Sequence, residues 1–318
     1  MSERPKKKYT AEGALLIVTI FWGGTFAIIK GSLTDISSML FIAFRFSIAV
    51  VILFPFALSR LKKSNFQSIK SGAVLGTIMF LGFATQTIGL KYTAATKSGF
   101  LTGTAVVMIP FLQLLIEKKW PGKGTWAGTF LVMTGILFLA SGGNSIFSFI
   151  EDLGGNFNIG DFFTLLCAVS FAFYVIYLDI YSKKINFMIL LFMQILMCAL
   201  WGYVTSFLFA GLSFETVRVE FTPNLMAGLA YTSIIATLIT TALQTKYQKG
   251  VTPAQAGIIY SFEPIFAAIA AFFLLNEKLT NFGVIGCLMI FLGLVISESF
   301  DTIKERVIER KGQSRNSG

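Results

Sequence analysis

The sequence predicts an all-α polytopic membrane protein, with about ten transmembrane helices in two inverted five-helix repeats. Three observations predict this. The 318 residues are 55% hydrophobic and 13% charged, where a soluble domain carries about 25% charged residues. The charges are segregated, so that long apolar runs alternate with short Lys and Arg clusters, the pattern of repeated crossings. Finally, Glu263 stands deep within one apolar run with Pro264 directly after it. An ionisable group at that depth is costly unless it faces a cavity or a partner.

A basic tail, residues 1–10, leads into the first span at 11–30. This start imitates a secretory signal, but the apolar run is long and lacks a small-residue cleavage site, so it is read as a membrane helix. The second span, 36–58, is apolar apart from Arg45 and is followed by Arg60, Lys62 and Lys63; the third is 69–90. The fourth, 98–117, contains Pro110. The fifth, 124–141, carries Gly128 and Gly135, small residues placed on one face for close packing. These segments form a first repeat over 11–141. The polar, glycine-rich stretch 142–158 is the expected linker. The second repeat, 159–299, holds spans at 160–181, 187–210, 225–245, 254–275 and 281–299, and a second basic tail covers 300–318. Most spans approach the ~20 residues a crossing needs. No sizeable soluble domain fits between them.

A net charge of +10 invites a nucleic-acid reading, but its distribution argues otherwise. With the N-terminus inside, 20 of the 26 basic residues fall in cytoplasmic segments, against Lys30, Lys91, Lys97, Arg218 and Lys278 outside and Arg45 within a span. That imbalance predicts both termini in the cytoplasm of a plasma (inner) membrane protein. The expected partners are the lipid bilayer and a small-molecule substrate, with no nucleic acid, and the chain is a monomer or homodimer. Cys167, Cys198 and Cys287 each stand alone in apolar helices, which implies packing rather than a disulfide framework.

The two halves resemble each other weakly. Lys91-Tyr92, Pro110, a basic turn, then Gly128 and Gly135 correspond to Lys246-Tyr247, Pro264, an Asn276-Glu277-Lys278 turn, then Gly286 and Gly293. An odd number of helices per unit forces the second to enter from the opposite side, giving an inverted repeat. Matching helices broken at Pro110 and Pro264 point to a central site between such repeats. Alternatively, both prolines only bend helices for packing.

The stretch 242–298 closely resembles the second repeat of EamA-type transporters of the drug/metabolite transporter superfamily, through Gln244, Gln248, Lys249, Glu263-Pro264, Asn276-Glu277-Lys278-Leu279, Gly286 and Gly293. Trp22-Gly23-Gly24-Thr25-Phe26, Arg45 between Phe44 and Phe46, and the stretch from Lys97 to Pro110 resemble the first repeat. Gly160-Asp161 with Ser170-Phe171-Ala172 resembles the opening of the second. The resemblance implies a ten-helix secondary carrier that exports or exchanges metabolites such as amino acids, with helices 1–4 and 6–9 around a central cavity and helices 5 and 10 at the periphery. Lys119 departs from the acid often found after the fourth helix.

Glu263, Arg45, Tyr260, Gln86, Gln244, Trp22, Lys97 and Tyr174 are the candidate substrate-binding residues. Arg45 lies at a depth similar to Glu263. The two are expected either to neutralise each other until substrate exchanges partners, or to form a permanent structural pair; a guanidinium suits a substrate carboxylate. Lys97 either attracts anions or snorkels to headgroups. Gln86, Gln113, Gln194 and Gln244 serve helix contacts or line the cavity. Trp22, Tyr174 and Tyr260 offer faces for stacking, Asp161 is read as a helix cap, and Asp179 and Glu117 as wetted span ends. Coupling stays open between proton exchange at Glu263, substrate exchange and facilitated diffusion.

An enzyme is not expected. The chain contains no His, which excludes an HExxH metal site and a Ser-His-Asp triad. It has no GxSxG element, no GxxxxGK[ST] loop for ATP and no cofactor or metal motif. An efflux carrier for drugs or other organic solutes is the alternative within carriers, and a channel or membrane-embedded enzyme outside them. Several cavity cations would be needed for phosphate esters, so a zwitterionic or neutral solute fits better.

Overall fold

The computed structural model describes residues 3–141, 147, 157–275 and 281–316. Its helices are α1 (Glu3–Gly23), α2 (Thr25–Ser32), α3 (Ser38–Leu61), α4 (Phe66–Tyr92), α5 (Ala95–Gly103), α6 (Ala105–Glu117) and α7 (Lys123–Ala140), then α8 (Ile159–Ser182), α9 (Phe187–Gly211), α10 (Pro223–Ala230), α11 (Thr240–Tyr247), α12 (Pro253–Tyr260), α13 (Glu263–Leu275) and α14 (Asn281–Asn316). A π-helical segment, Tyr231–Ile239, joins α10 to α11, and one 3₁₀ turn, Gln248–Gly250, follows. Most of the expected linker at 142–158, and the turn at 276–280, lie outside the described residues.

Helix covers every stretch expected to cross, but the described residues do not yield ten full spans. By length and composition, seven stretches are long and apolar enough: Lys8–Ser32, Ser38–Leu61, Phe66–Tyr92, Lys97–Glu117, Ile159–Ser182, Phe187–Gly211 and Pro223–Gly250. Lys123–Leu139 and Asn281–Ser297 are shorter apolar helices. The α12–α13 segment is interrupted at Ser261 and Phe262.

The interruptions have local causes. In α13, Pro264 is the second residue, where a helix needs no N–H donor. The Ser261 hydroxyl turns back to the Gly257 carbonyl at 2.9 Å. Pro110 breaks nothing: it lies inside α6, and the interruption expected there falls six residues earlier, at Thr104. Both the amide and the hydroxyl of Thr104 return to the Leu101 carbonyl, at 3.2 and 2.6 Å. A hydroxyl that competes for a helix carbonyl tightens the turn. The proline follows the break instead of making it.

Packing is close where side chains are small. A Cβ on Gly128 would stand 2.6 Å from the Gly293 carbonyl oxygen, and one on Gly286 2.5 Å from that of Gly135. The glycine pairs of α7 and α14 therefore touch backbone to backbone, which holds helices together where lipid removes a hydrophobic driving force. Among the described residues the apolar core forms four patches. Phe46, Met79, Leu178 and Leu190 anchor one among α3, α4, α8 and α9. Leu15, Ile109, Ile176 and Ile259 anchor a second. Phe26, Phe41, Leu90 and Leu229 form a third, and Phe100, Val132, Ile258 and Ile290 a fourth.

Two loops clasp each other. Ser37 N–H donates to the Arg218 carbonyl at 3.1 Å and Glu220 N–H to the Asp35 carbonyl at 2.8 Å. The Glu215 carboxylate accepts from the Ser38 amide at 3.0 Å, capping α3, and pairs with Lys91 at 2.5 Å. Burial pushes the Glu215 carboxyl up, but hydrogen bonds from Lys91 and Ser38 outweigh it and hold the group below its ordinary range. The hydroxyls of Thr222 and Thr34 lower Asp35 likewise.

Candidate functional site

The patches leave a cavity between them, with a largely apolar wall that carries a few polar and charged groups. It offers about 80 Å³ to the centres of water molecules. One ordered water needs at least ~10–15 Å³ on that measure, so the space holds a handful. Trp22 of α1, Arg45 of α3, Gln86 of α4, Gln244 of α11, Tyr260 of α12 and Glu263 of α13 all line it. Thr25, Phe83, Thr102, Phe171 and Ser261 also contribute. Among the described residues, no lining residue comes from α7, α9 or α14, so the expected peripheral place of the fifth and tenth segments is shared by the seventh.

Local sequence explains how the two charges arrive. Gly23, at the end of α1, lets α13 cross closely: a Cβ there would stand 2.7 Å from that of Phe266. That contact places the first turn of α13, with Glu263, beside Trp22 and Tyr260, whose rings lie 5.6 Å apart. Among the described residues, Glu263 has no hydrogen bond and no ion pair, although it is more than half enclosed.

Arg45 is 2% exposed. Its Nε donates to the Thr237 hydroxyl at 2.7 Å and its Nη2 to the Ala236 carbonyl at 3.0 Å. The guanidinium carbon also lies 4.7 Å from the centre of the Phe83 ring, within reach of a cation–π contact. Phe83 meets Phe171 edge-on at 5.2 Å. All of these partners are neutral. Arg45 and Glu263 therefore share a wall without forming the mutual pair that their depths suggested.

Lys97 and Tyr174 stand elsewhere. The Lys97 ammonium is 2.8 Å from Asp161, which is fully buried, so it neither snorkels nor lines the cavity. Asp161 combines that pairing with a capping box at Asn158 and a 2.7 Å bond from the Thr93 hydroxyl. The Tyr174 hydroxyl donates to Gln194 at 2.9 Å, and Gln194 to the Thr245 hydroxyl at 2.8 Å, a buried relay among α8, α9 and α11. Gln113 accepts from the Ala254 amide at 3.1 Å, satisfying an orphan donor at the start of α12. Asp179 is fully buried rather than wetted, and pairs with Lys183. Behind the cavity lining, Gln248 accepts from the Tyr260 hydroxyl at 2.9 Å and donates to the Val175 carbonyl at 2.7 Å.

Thr237 and the Ala236 carbonyl were not foreseen. The signal was present as six hydroxyls in one apolar span, at Thr232, Ser233, Thr237, Thr240, Thr241 and Thr245. No cluster of three or more metal-ligating side chains occurs among the described residues.

The EamA-like transporter family model matches residues 10–141 and 158–298. A relative named as an uncharacterized transporter, from Archaeoglobus fulgidus, is 32% identical over 91% of this chain and 86% of its own length. The uncharacterized transporter YoaV of Bacillus subtilis is 22% identical over 89% of this chain and 94% of its own. A solved crystal structure with 14% identity superposes with a TM-score of 0.71, covering 91% of this chain and 96% of that one, which shows a shared fold.

Proposed function

The chain belongs to the EamA-like transporter family, and from that premise we propose that it is a secondary carrier of small zwitterionic metabolites such as amino acids. It is an integral membrane protein with transporter relatives. The reading adds a ten-span body of two inverted repeats, both termini cytoplasmic in the plasma (inner) membrane, and alternating access around the cavity. Helix packing supports the repeat. The third segment packs on the sixth as the first does on the eighth, and the fourth on the sixth as the ninth does on the first. The second packs with the seventh, the fourth with the ninth and the fifth with the tenth, pairings unchanged when the halves exchange.

One observation carries the substrate class. A lone carboxylate, Glu263, and a guanidinium with only neutral partners, Arg45, line one cavity without meeting each other. Each buried charge is costly alone, and a solute bearing one charge of each sign offsets both. The aromatic walls, Trp22 with Tyr260 and Phe83 with Phe171, favour an apolar body on that solute. The same walls favour the second reading, efflux of organic solutes.

Counterflow of labelled leucine into vesicles preloaded with leucine tests the proposal. Leucine is expected to compete far better than isopentylamine or 4-methylpentanoate, which share its body but keep one charge. Equal competition by either single-charge compound would overturn the zwitterion reading. A flux without counterflow would favour a channel.

A further inference from the structure

Three donors converge on the backbone carbonyl of Ala236. Arg45 Nη2 reaches it at 3.0 Å, Trp22 Nε1 at 3.3 Å and the Thr240 hydroxyl at 2.9 Å. In an α-helix this oxygen would be taken by the amide four residues on. Here the Thr240 amide is shared between the Ile235 carbonyl, five residues back, and the Thr237 carbonyl, and passes over Ala236. The carbonyl is thus free for side chains of α1 and α3 because Tyr231–Ile239 is wound as a π-helix. Such winding is rare and concentrates at functional sites. Arginine suits the junction, since its rigid fork engages Thr237 and Ala236 together.

We propose that the π register of Tyr231–Ile239 is held by the cavity donors Arg45 and Trp22, which makes Thr237 and the Ala236 carbonyl positioning groups for Arg45. A solute carboxylate that takes the guanidinium then releases the segment to the α register. A shift of one residue turns the following helix by about 100°. It carries Gln244 on the cavity wall, and beyond it Gln248, which holds the hydroxyl of Tyr260. Occupancy at Arg45 is thereby converted into movement of α11 against α12. The release step rests on the carrier reading, whereas the holding of the register does not.

The test starts without ligand. In the solved structure of Arg45→Met the Thr240 amide is expected on Ala236, with the amides of 236–245 exchanging hydrogen about fivefold slower than in wild type. A retained bond to Ile235 with unchanged exchange would overturn the proposal. Should Arg45→Met not fold, Trp22→Phe removes the other cavity donor to the Ala236 carbonyl and is read by the same exchange measurement, with the same deciding outcomes. In leucine counterflow, Thr237→Val is expected to raise the half-saturating concentration about tenfold, with the maximal rate held and Thr237→Ser restoring affinity. A fall in maximal rate alone, or no rescue by Ser, would overturn the positioning role. Wild-type protein inert in counterflow would count against the carrier reading, and the ligand-free register would still decide this one.

Discussion

Lys97 and Asp161 form an ion pair 2.8 Å long between α5 and the first turn of α8, with the carboxylate fully enclosed. Its oxygens also accept from Thr93 and from the Asn158 amide. Removing one member strands a charge that has little water to turn to. Asp161→Asn is expected to destabilise the protein by about 2–4 kcal/mol. The double variant Asp161→Asn with Lys97→Met should recover part of that loss. Thermal melts of the purified single and double variants check the cycle; additive losses would contradict the pairing.

Gly23 and Gly24 are neighbours with opposite surroundings. A Cβ on Gly23 would press into the backbone of α13, 2.8 Å from the Ala267 nitrogen, whereas one on Gly24 meets nothing within 4 Å. Gly23→Ala should cost about 1–3 kcal/mol and weaken leucine binding, since the displaced helix carries Glu263. Gly24→Ala should stay within about 0.5 kcal/mol of wild type. Melting temperatures of the two variants, side by side, suffice.

Each cavity charge should govern one pole of the solute. Glu263→Gln is expected to weaken leucine about tenfold or more, while leaving 4-methylpentanoate unaffected. Arg45→Gln should weaken leucine and 4-methylpentanoate but not isopentylamine. Competition curves for the three compounds on each variant report this directly. Equal loss of all three would mean general disruption of the cavity.

Glu215 predicts an acid-side dependence. Its carboxyl is held below the ordinary value of 4.5 in the folded protein. The stabilisation is therefore complete above the unfolded value and is lost as pH falls through the folded one, from about pH 5 downward. Wild type should lose melting temperature faster than Glu215→Gln between pH 5 and pH 3, by about that group's contribution. Parallel curves would show that the clasp to Ser38 and Lys91 contributes nothing.

The helical stretches were legible because apolar runs punctuated by Lys and Arg need no partner to be recognised. The two glycine pairs were legible for a related reason, since only the smallest residue suits a backbone contact. At the site, the lone acid and the lone guanidinium gave away the cavity wall, and Trp22, Tyr260, Gln86 and Gln244 lie there too. Lys97 misled because its partner Asp161 is distant in sequence, and Tyr174 because its hydroxyl is consumed by Gln194. The π winding at Tyr231–Ile239 was illegible. In a span apolar on nearly every side, a hydrophobic period of one helix type cannot be told from that of another.

The four-patch core has a consequence for how the molecule comes apart. Heat or detergent that loosens the first island of side chains acts on a different set of helices from the second and fourth, which Leu16 and Leu294 bridge. Denaturation should therefore run through partly assembled species, with Trp201, which packs on the first island, reporting a different midpoint from Trp22, which lines the cavity, instead of one shared collapse.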